Sequence, residues 1–372
     1  MILFFTPSNK AGKSLQGIMI EEEGIGDIAV FDLDFQKPYT LTMFDFKAAR
    51  ARSELFMNIR RYFIDKGYLE VSTPTLSPSL IPEPTIKAFG TEFINEFAGN
   101  RKLYMIPSPE IFMKRLLASG SGSIFQISEC FRNSEQLGDV HNPEFTMLEY
   151  YTVGYDDKDS IGLTIDMIGK TRAGSHQPWM DEKPLIITME EAMARYAGVD
   201  MERAQDYGFL RHEAERLGLH VPENESWEDT FNRIFLTYTE PALPKDRQVY
   251  LTDYPEQIRC LARKYPDKPY RKRWEMYISG VEIANCYDEE TDRSEIRSYY
   301  EEEQRKLEEE RKETGDVISS ADLSFADLEI PQSSGVAIGL DRLLMVELGM
   351  DEIAPLLLFP LSAILADGIA KA

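Results

Sequence analysis

The spacing of apolar residues changes period several times along the chain. Over residues 46–66, Leu55, Ile59, Phe63 and Ile64 return at helical intervals and Gly67 supplies a stop, which predicts an amphipathic helix. Tyr68-Leu69-Glu70-Val71-Ser72-Thr73 then reads as a strand closed by Pro74, whose missing N–H places it at an edge or at a strand end. After a loop carrying Pro78, Pro82 and Pro84, a strand over 103–106 meets a helix over 111–118, with Ser108 and Glu110 at the junction. Such junctions expose unpaired backbone donors, so Ser108 either caps the helix or helps to hold a ligand.

Residues 152–248 read as a charged, helical insertion in which Trp179, Trp227, Phe231 and Phe235 have the spacing of core residues. Strands follow at 248–252 and 273–278, the second turning through Ser279-Gly280 into a third at 281–287. Residues 293–313 form a mixed-charge helix with pairs such as Glu302 and Lys306 at i,i+4, most simply a solvated face. The series closes with a strand from Ser334 to Gly339 that passes into a helix at Asp341 and Arg342, whose other face carries Leu343, Leu344 and Val346. Residues 1–45 hold shorter strand-like pieces at 27–31 and 39–43 and give no functional signal.

Composition narrows the class. A chain of 372 residues, 43% hydrophobic, can bury one large core. Its net charge of −23 opposes broad contact with nucleic acid, which gains affinity by matching phosphates with Lys and Arg. Cys130, Cys260 and Cys286 lack metal-ligand spacing, and an odd count suits a reducing compartment, so the cytoplasm is the expected location. His176, His212 and His220 also lack the spacing of metal ligands. No secretory signal is expected, because five leading apolar residues have no basic flank before them. Residues 353–366 are apolar but broken by Pro355 and Pro360, too short for a membrane span.

The candidate chemistry gathers around one run. Cys130-Phe131-Arg132-Asn133-Ser134-Glu135 is followed by a short polar loop and then His141-Asn142-Pro143-Glu144-Phe145-Thr146-Met147-Leu148-Glu149-Tyr150-Tyr151. Arg132 and Arg342 are permanently charged forks suited to phosphate oxygens, and Glu282 and Glu289 are carboxylates able to hold a divalent cation against them. Phe145 offers a flat face to an adenine opposite a guanidinium. The set suits carboxylate activation, in which an amino acid carboxylate attacks the α-phosphorus of ATP; positioning and charge neutralisation are the main demands.

These residues resemble known motifs. Phe131-Arg132-Asn133 with the run from His141 to Glu149 is similar to motif 2 of class II aminoacyl-tRNA synthetases, and Gly335-Val336-Ala337-Ile338-Gly339-Leu340-Asp341-Arg342 is similar to motif 3. Pro74 falls where the dimer-forming motif 1 has its proline, so the resemblance implies a homodimer. It covers roughly residues 50–362 and implies an α+β fold with a mostly antiparallel sheet flanked by helices. Ser108-Pro109-Glu110 with Lys114-Arg115, and Glu282-Ile283-Ala284-Asn285 with Glu289, resemble the lysine-handling members. By this resemblance Arg132, Glu135, His141, Phe145, Glu282, Gly339 and Arg342 bind ATP, with Arg132 on the α-phosphate and Arg342 on the γ-phosphate. Ser108, Glu110, Tyr151, Asn285, Glu289 and Ala337 surround the amino acid, while Glu282 and Glu289 hold Mg2+.

Too few residues precede the first helix to form the anticodon-reading barrel of a lysine tRNA ligase, which takes about five strands. The resemblance therefore points to the truncated lysine ligases that attach a lysine, typically the β-isomer, to a lysine side chain of elongation factor P. Ala337 stands where the tRNA enzymes usually have glycine, and that methyl group reshapes the amino acid pocket. Ser134 stands where an acid is common, leaving Glu135 to serve, and Cys286 replaces a frequent glycine. The expected division is an amino-terminal extension of unknown role over 1–45 and a catalytic domain over 46–372 with the helical insertion at about 152–248. The acceptor is expected to be elongation factor P and not tRNA. Two alternatives stay open: a free-standing lysine-tRNA or small-molecule lysine ligase, and a non-catalytic paralogue acting as a binding module.

Overall fold

A computed structural model describes residues 46–79, 86–134, 138–314 and 323–368. The strand-like pieces of residues 1–45, Pro82 and Pro84, and Glu135 lie outside the described residues. Helix α1 (Phe46–Asp65) buries Ala48, Ala51, Leu55, Ile59, Tyr62 and Phe63 along one face. Ile64 was expected on that face but is 54% exposed, because one residue beyond Phe63 the helix has turned about 100°. The strand expected over 68–73 is short, β1 (Leu69–Glu70), and pairs in parallel with β5 (Ile124–Phe131) at a sheet edge.

A small antiparallel sheet precedes the main one: β2 (Leu76–Ser77) and β3 (Gly90–Phe93) flank β4 (Arg101–Met105). Helix α2 (Glu110–Ala118) follows β4 and leads into β5. β5 then pairs with β6 (Glu144–Val153). Between β6 and β8 (Gln248–Pro255) the chain forms α3 (Asp157–Thr171), β7 (Leu185–Thr188), α4 (Met189–Ala192), α5 (Tyr207–Arg216) and α6 (Trp227–Ile234), with short 3-10 and π turns. β9 (Tyr270–Ile278) and β10 (Val281–Asp288) make a hairpin across Ser279, which has a positive φ, and Gly280. Helix α7 (Arg293–Thr314), β11 (Ser333–Gly339), α8 (Leu340–Leu348) and α9 (Leu361–Gly368) complete the described chain.

The main sheet has eight strands in the order β1-β5-β6-β11-β10-β9-β8-β7. Its six inner strands are antiparallel, and β1 and β7 add parallel partners at the two edges. Strand alternation sorts the residues by face. Leu148, Tyr150, Val336, Ile338, Ala284, Cys286, Trp274 and Met276 turn to the core beneath α1, α3 and α8. Met147, Glu149, Tyr151, Gly335, Ala337, Gly339, Asn285, Tyr287, Arg273 and Glu275 turn to the opposite side, around one cavity. In β10 an irregularity between Glu282 and Ala284 inserts an extra residue, so Glu282 joins the side of Asn285 and Tyr287 despite its even position.

A second core lies under α4 to α6. Trp227, Phe231 and Phe235 stack at centroid distances of 5.2 and 6.0 Å, one helical turn apart. Trp179 belongs instead to the main core, where its indole N–H donates to the Val346 carbonyl at 3.2 Å. His176, His212 and His220 are exposed. Among the described residues no helix is long and apolar enough to cross a membrane.

One cross-element clamp fixes the start of α8. The Asp341 carboxylate accepts from the Thr146 backbone N–H at 2.7 Å and from the Arg52 guanidinium, which also reaches the Thr146 hydroxyl. Arg52→Met leaves that buried carboxylate without its cation, and we expect a loss of about 3 kcal/mol in stability, read from chemical denaturation.

Candidate active site

All the residues singled out from the sequence as site residues, apart from Glu135, line a single cavity of about 510 Å³. Its floor is built from β6, β11, β10 and β9. The register pairs Tyr151 with Gly335, Glu149 with Ala337 and Met147 with Gly339, and Ala337 with Asn285 on the next strand. Six residues separate Phe145 from Tyr151, roughly 20 Å at about 3.3 Å per residue, so the cavity has two chemically distinct ends.

At one end stand arginines and a ring. The Arg132 guanidinium lies 5.2 Å from the Phe145 ring centroid, and its Nε is a buried donor without a hydrogen-bond partner. Arg342 donates from Nε to the Val140 carbonyl at 3.0 Å and from Nη1 to the Glu282 carbonyl at 3.1 Å, which fixes its guanidinium on the cavity wall. His141 and Gly339 line the same end, and Asn142 beside them accepts from the Leu361 N–H at 3.2 Å. A desolvated arginine donor with no acceptor of its own fits an anionic ligand.

Glu282 faces these guanidiniums. The surrounding protein raises its carboxyl above the usual carboxylate range, and neighbouring Glu275 adds to the rise, while Arg342, Arg273 and Arg132 oppose it. Glu275 sits on the adjacent strand and accepts from the Tyr254 and Tyr277 hydroxyls at 2.5 and 2.7 Å. Arg273 bridges it to Asn285, donating to the Asn285 amide oxygen at 3.1 Å.

The other end is lined with acids. The Ser108 hydroxyl accepts from the Glu110 N–H at 3.0 Å at the start of α2 and donates to Glu149 at 2.7 Å. The Tyr151 hydroxyl donates to the other oxygen of Glu149 at 2.7 Å. Burial, with Glu110 nearby, pushes the Glu149 carboxyl up to about 8. Lys114 reaches Glu110 at 2.5 Å and Glu289 at 2.8 Å. Burial raises the Glu289 carboxyl while Lys114 pulls it down.

The structure corrects the pairing of Glu282 with Glu289 as one cation site. Seven residues of β-strand separate them, and Glu289 lies instead against Lys114, with Gly335 and Tyr151 beside it. The acid that does neighbour Glu282 is Glu275, so this is the carboxylate pair able to hold a divalent cation at the arginine-lined end. Among the described residues no group of three or more His, Cys, Asp or Glu side chains is arranged to hold a metal ion by itself. Glu275, Arg273 and Glu149 were missed as site residues. The signal was present in the alternation for Glu149, which lies between Met147 and Tyr151 on one strand face, whereas Arg273 and Glu275 come to the face of Asn285 only through the pairing of β9 with β10.

An antiparallel sheet carrying opposed arginine and carboxylate ends in one cavity defines the class. Residues 43–363 match the family described as tRNA synthetases class II (D, K and N), and the chain belongs to that family. As a member it is an ATP-dependent amino acid ligase. It is 34% identical over 317 residues to the elongation factor P (R)-β-lysine ligase of Proteus mirabilis (strain HI4320), covering 83% of this chain and 93% of that protein. The protein of the same description from Edwardsiella ictaluri (strain 93-146) is 35% identical over 315 residues, with the same coverage of each chain.

Proposed function

We propose that the protein activates lysine or β-lysine with ATP and transfers it to a lysine side chain of elongation factor P. The observation that carries this reading is the buried acidic end, where Glu110, Glu149 and Glu289 converge in the same cavity as Arg132. Several carboxylates in one desolvated space call for a ligand with more than one ammonium group. The relatives named above support the acceptor.

In this reading the amino acid lies along β6 with its amines toward Glu110, Glu149 and Glu289 and its carboxylate toward Arg132. A carboxylate oxygen forms a bond to the α-phosphorus, the bond to the β-phosphate breaks, and pyrophosphate leaves. Arg132 meets the charge that develops on the α-phosphoryl oxygens, Arg342 holds the terminal phosphate, and Phe145 carries the adenine. Glu275 and Glu282 would hold Mg2+, which when bound neutralises phosphate charge. The acceptor amine then attacks the acyl carbon, loses one proton and releases AMP.

We further read the protein as a cytoplasmic homodimer. Met57 and Ile64 of α1 and Leu69 of β1 leave apolar surface exposed at the segment that resembles motif 1. Light scattering giving twice the chain mass is the expected result.

The decisive test is incubation with ATP, L-lysine or (R)-β-lysine, and either elongation factor P or total tRNA. A lysyl mass increment on the factor together with pyrophosphate exchange is expected. Charged tRNA with an unmodified factor would sink the reading of the acceptor, and no exchange with any amino acid would favour a non-catalytic binding module. The Ala337 methyl lies across from Glu149 and Asn285. Ala337→Gly should shift the ratio of the two isomers' kcat/KM by about 1 to 3 kcal/mol, a five- to 150-fold change, measured by exchange kinetics.

A further inference from the structure

The acidic end is backed by a cation of the protein itself. Lys114 stands one helical turn after Glu110 on α2 and is only 7% exposed. Its ammonium lies between Glu110 and Glu289, with Glu149 and Tyr151 of β6 beyond them. Behind it Glu290 and Tyr300 share a small hollow walled by Leu261, Ile296 and Phe325. Burial works to strip its proton, but Glu110 and Glu289, with Tyr300, outweigh this and hold it charged.

We propose that Lys114 is a positioning residue that sets the charge of the amino acid end so that it selects substrates carrying two ammonium groups; this rests on the lysine-activating reading above. A bound ammonium group favours the ionised form of a buried carboxyl, so in the complex Glu110, Glu149 and Glu289 carry three negative charges and Lys114 one positive charge, while Ser108 and Tyr151 contribute none. The end is therefore short of two positive charges. An amino acid with a single amine leaves one buried carboxylate unmatched, and a diamine leaves none. The ion pair also fixes the side chains of Glu110 and Glu289 before substrate arrives. Glu289 Oε2 meets Lys114 at 2.8 Å, and a carboxylate oxygen has a second lone pair that can accept from a substrate ammonium.

The test is Lys114→Met in the full chain, followed by pyrophosphate exchange with L-lysine and (R)-β-lysine from pH 6.5 to 9. Without the internal ammonium that pulls it down, the Glu289 carboxyl takes up a proton that a diamine must displace. The amino acid KM should rise at least tenfold at pH 7, the deficit should shrink toward pH 9, and the ATP KM should stay within twofold. A purely structural role would lower Tm and leave the pH profile of KM unchanged. The double variant Glu110→Gln with Lys114→Met removes one charge of each sign, so it guards against a single variant that fails to fold. Its amino acid KM should be no higher than that of Glu110→Gln alone. A Lys114→Met enzyme with wild-type KM at every pH, or a double variant whose penalties multiply, overturns the proposal. If the wild-type protein exchanges pyrophosphate with neither isomer, the lysine-activating reading fails instead.

Discussion

Arg132→Ala should lower ATP–pyrophosphate exchange by about 10³-fold or more, with the fold and thermal stability kept. The guanidinium rests on the Phe145 ring and presents a buried Nε with no acceptor of its own, so the protein itself depends little on its charge. Its proposed partner is the α-phosphoryl group, where charge builds as the new bond forms, and a donor placed there lowers the barrier more than it tightens ground-state binding. The loss should fall mainly on kcat, and Arg132→Lys should recover little, because an ammonium cannot copy a planar fork. Near-normal exchange in Arg132→Ala would remove this residue from the reaction.

Gly335→Ala should act on the opposite end with comparable force. A Cβ at this position would stand 2.3 Å from Glu289 Oε1 and 2.5 Å from Tyr151 Cε1, closer than atoms can approach. Both neighbours are buried and Tyr151 is hydrogen-bonded to Glu149, so neither side chain can step aside alone. The amino acid KM should rise by about 100-fold, since displaced carboxylates lose their alignment with the amines. ATP binding, followed by a fluorescent nucleotide, should hold within a few-fold. Equal losses in both substrates would mean that the added methyl disturbs the whole sheet and not the acidic end.

These two ends differ in how plainly the sequence announces them. Arg132, Phe145 and Arg342 lie in runs whose residue types and order were informative together, and the strand-to-helix passage at Gly339 was legible from glycine and leucine spacing alone. The sheet's alternation was equally legible in β6 and β11, where apolar and polar residues trade places every second position. Glu275 was not, because β9 is buried on both sides at that point and the sequence around it reads as a core strand. The pairing of Glu282 with Glu289 failed for a different reason. The two were grouped as carboxylates able to hold a cation, by residue type and by resemblance, and an extended strand separates residues faster than any other element. Residue 64 shows the converse on a helix, where a neighbour in sequence faces elsewhere.

The extra residue in β10 carries a consequence for how the gene tolerates change. Upstream of it the strand presents its side chains in one phase, and downstream in the other. Deleting Ile283 would remove no charged group and would bring the two phases into step, and because Glu282 would then stand directly before Ala284, which faces the core, its carboxylate would stay on the cavity side with Asn285. Loss of Ile283 should therefore cost far less activity than loss of Glu282 itself, whereas a residue deleted further along β10 would set one side of the strand out of register with its neighbours.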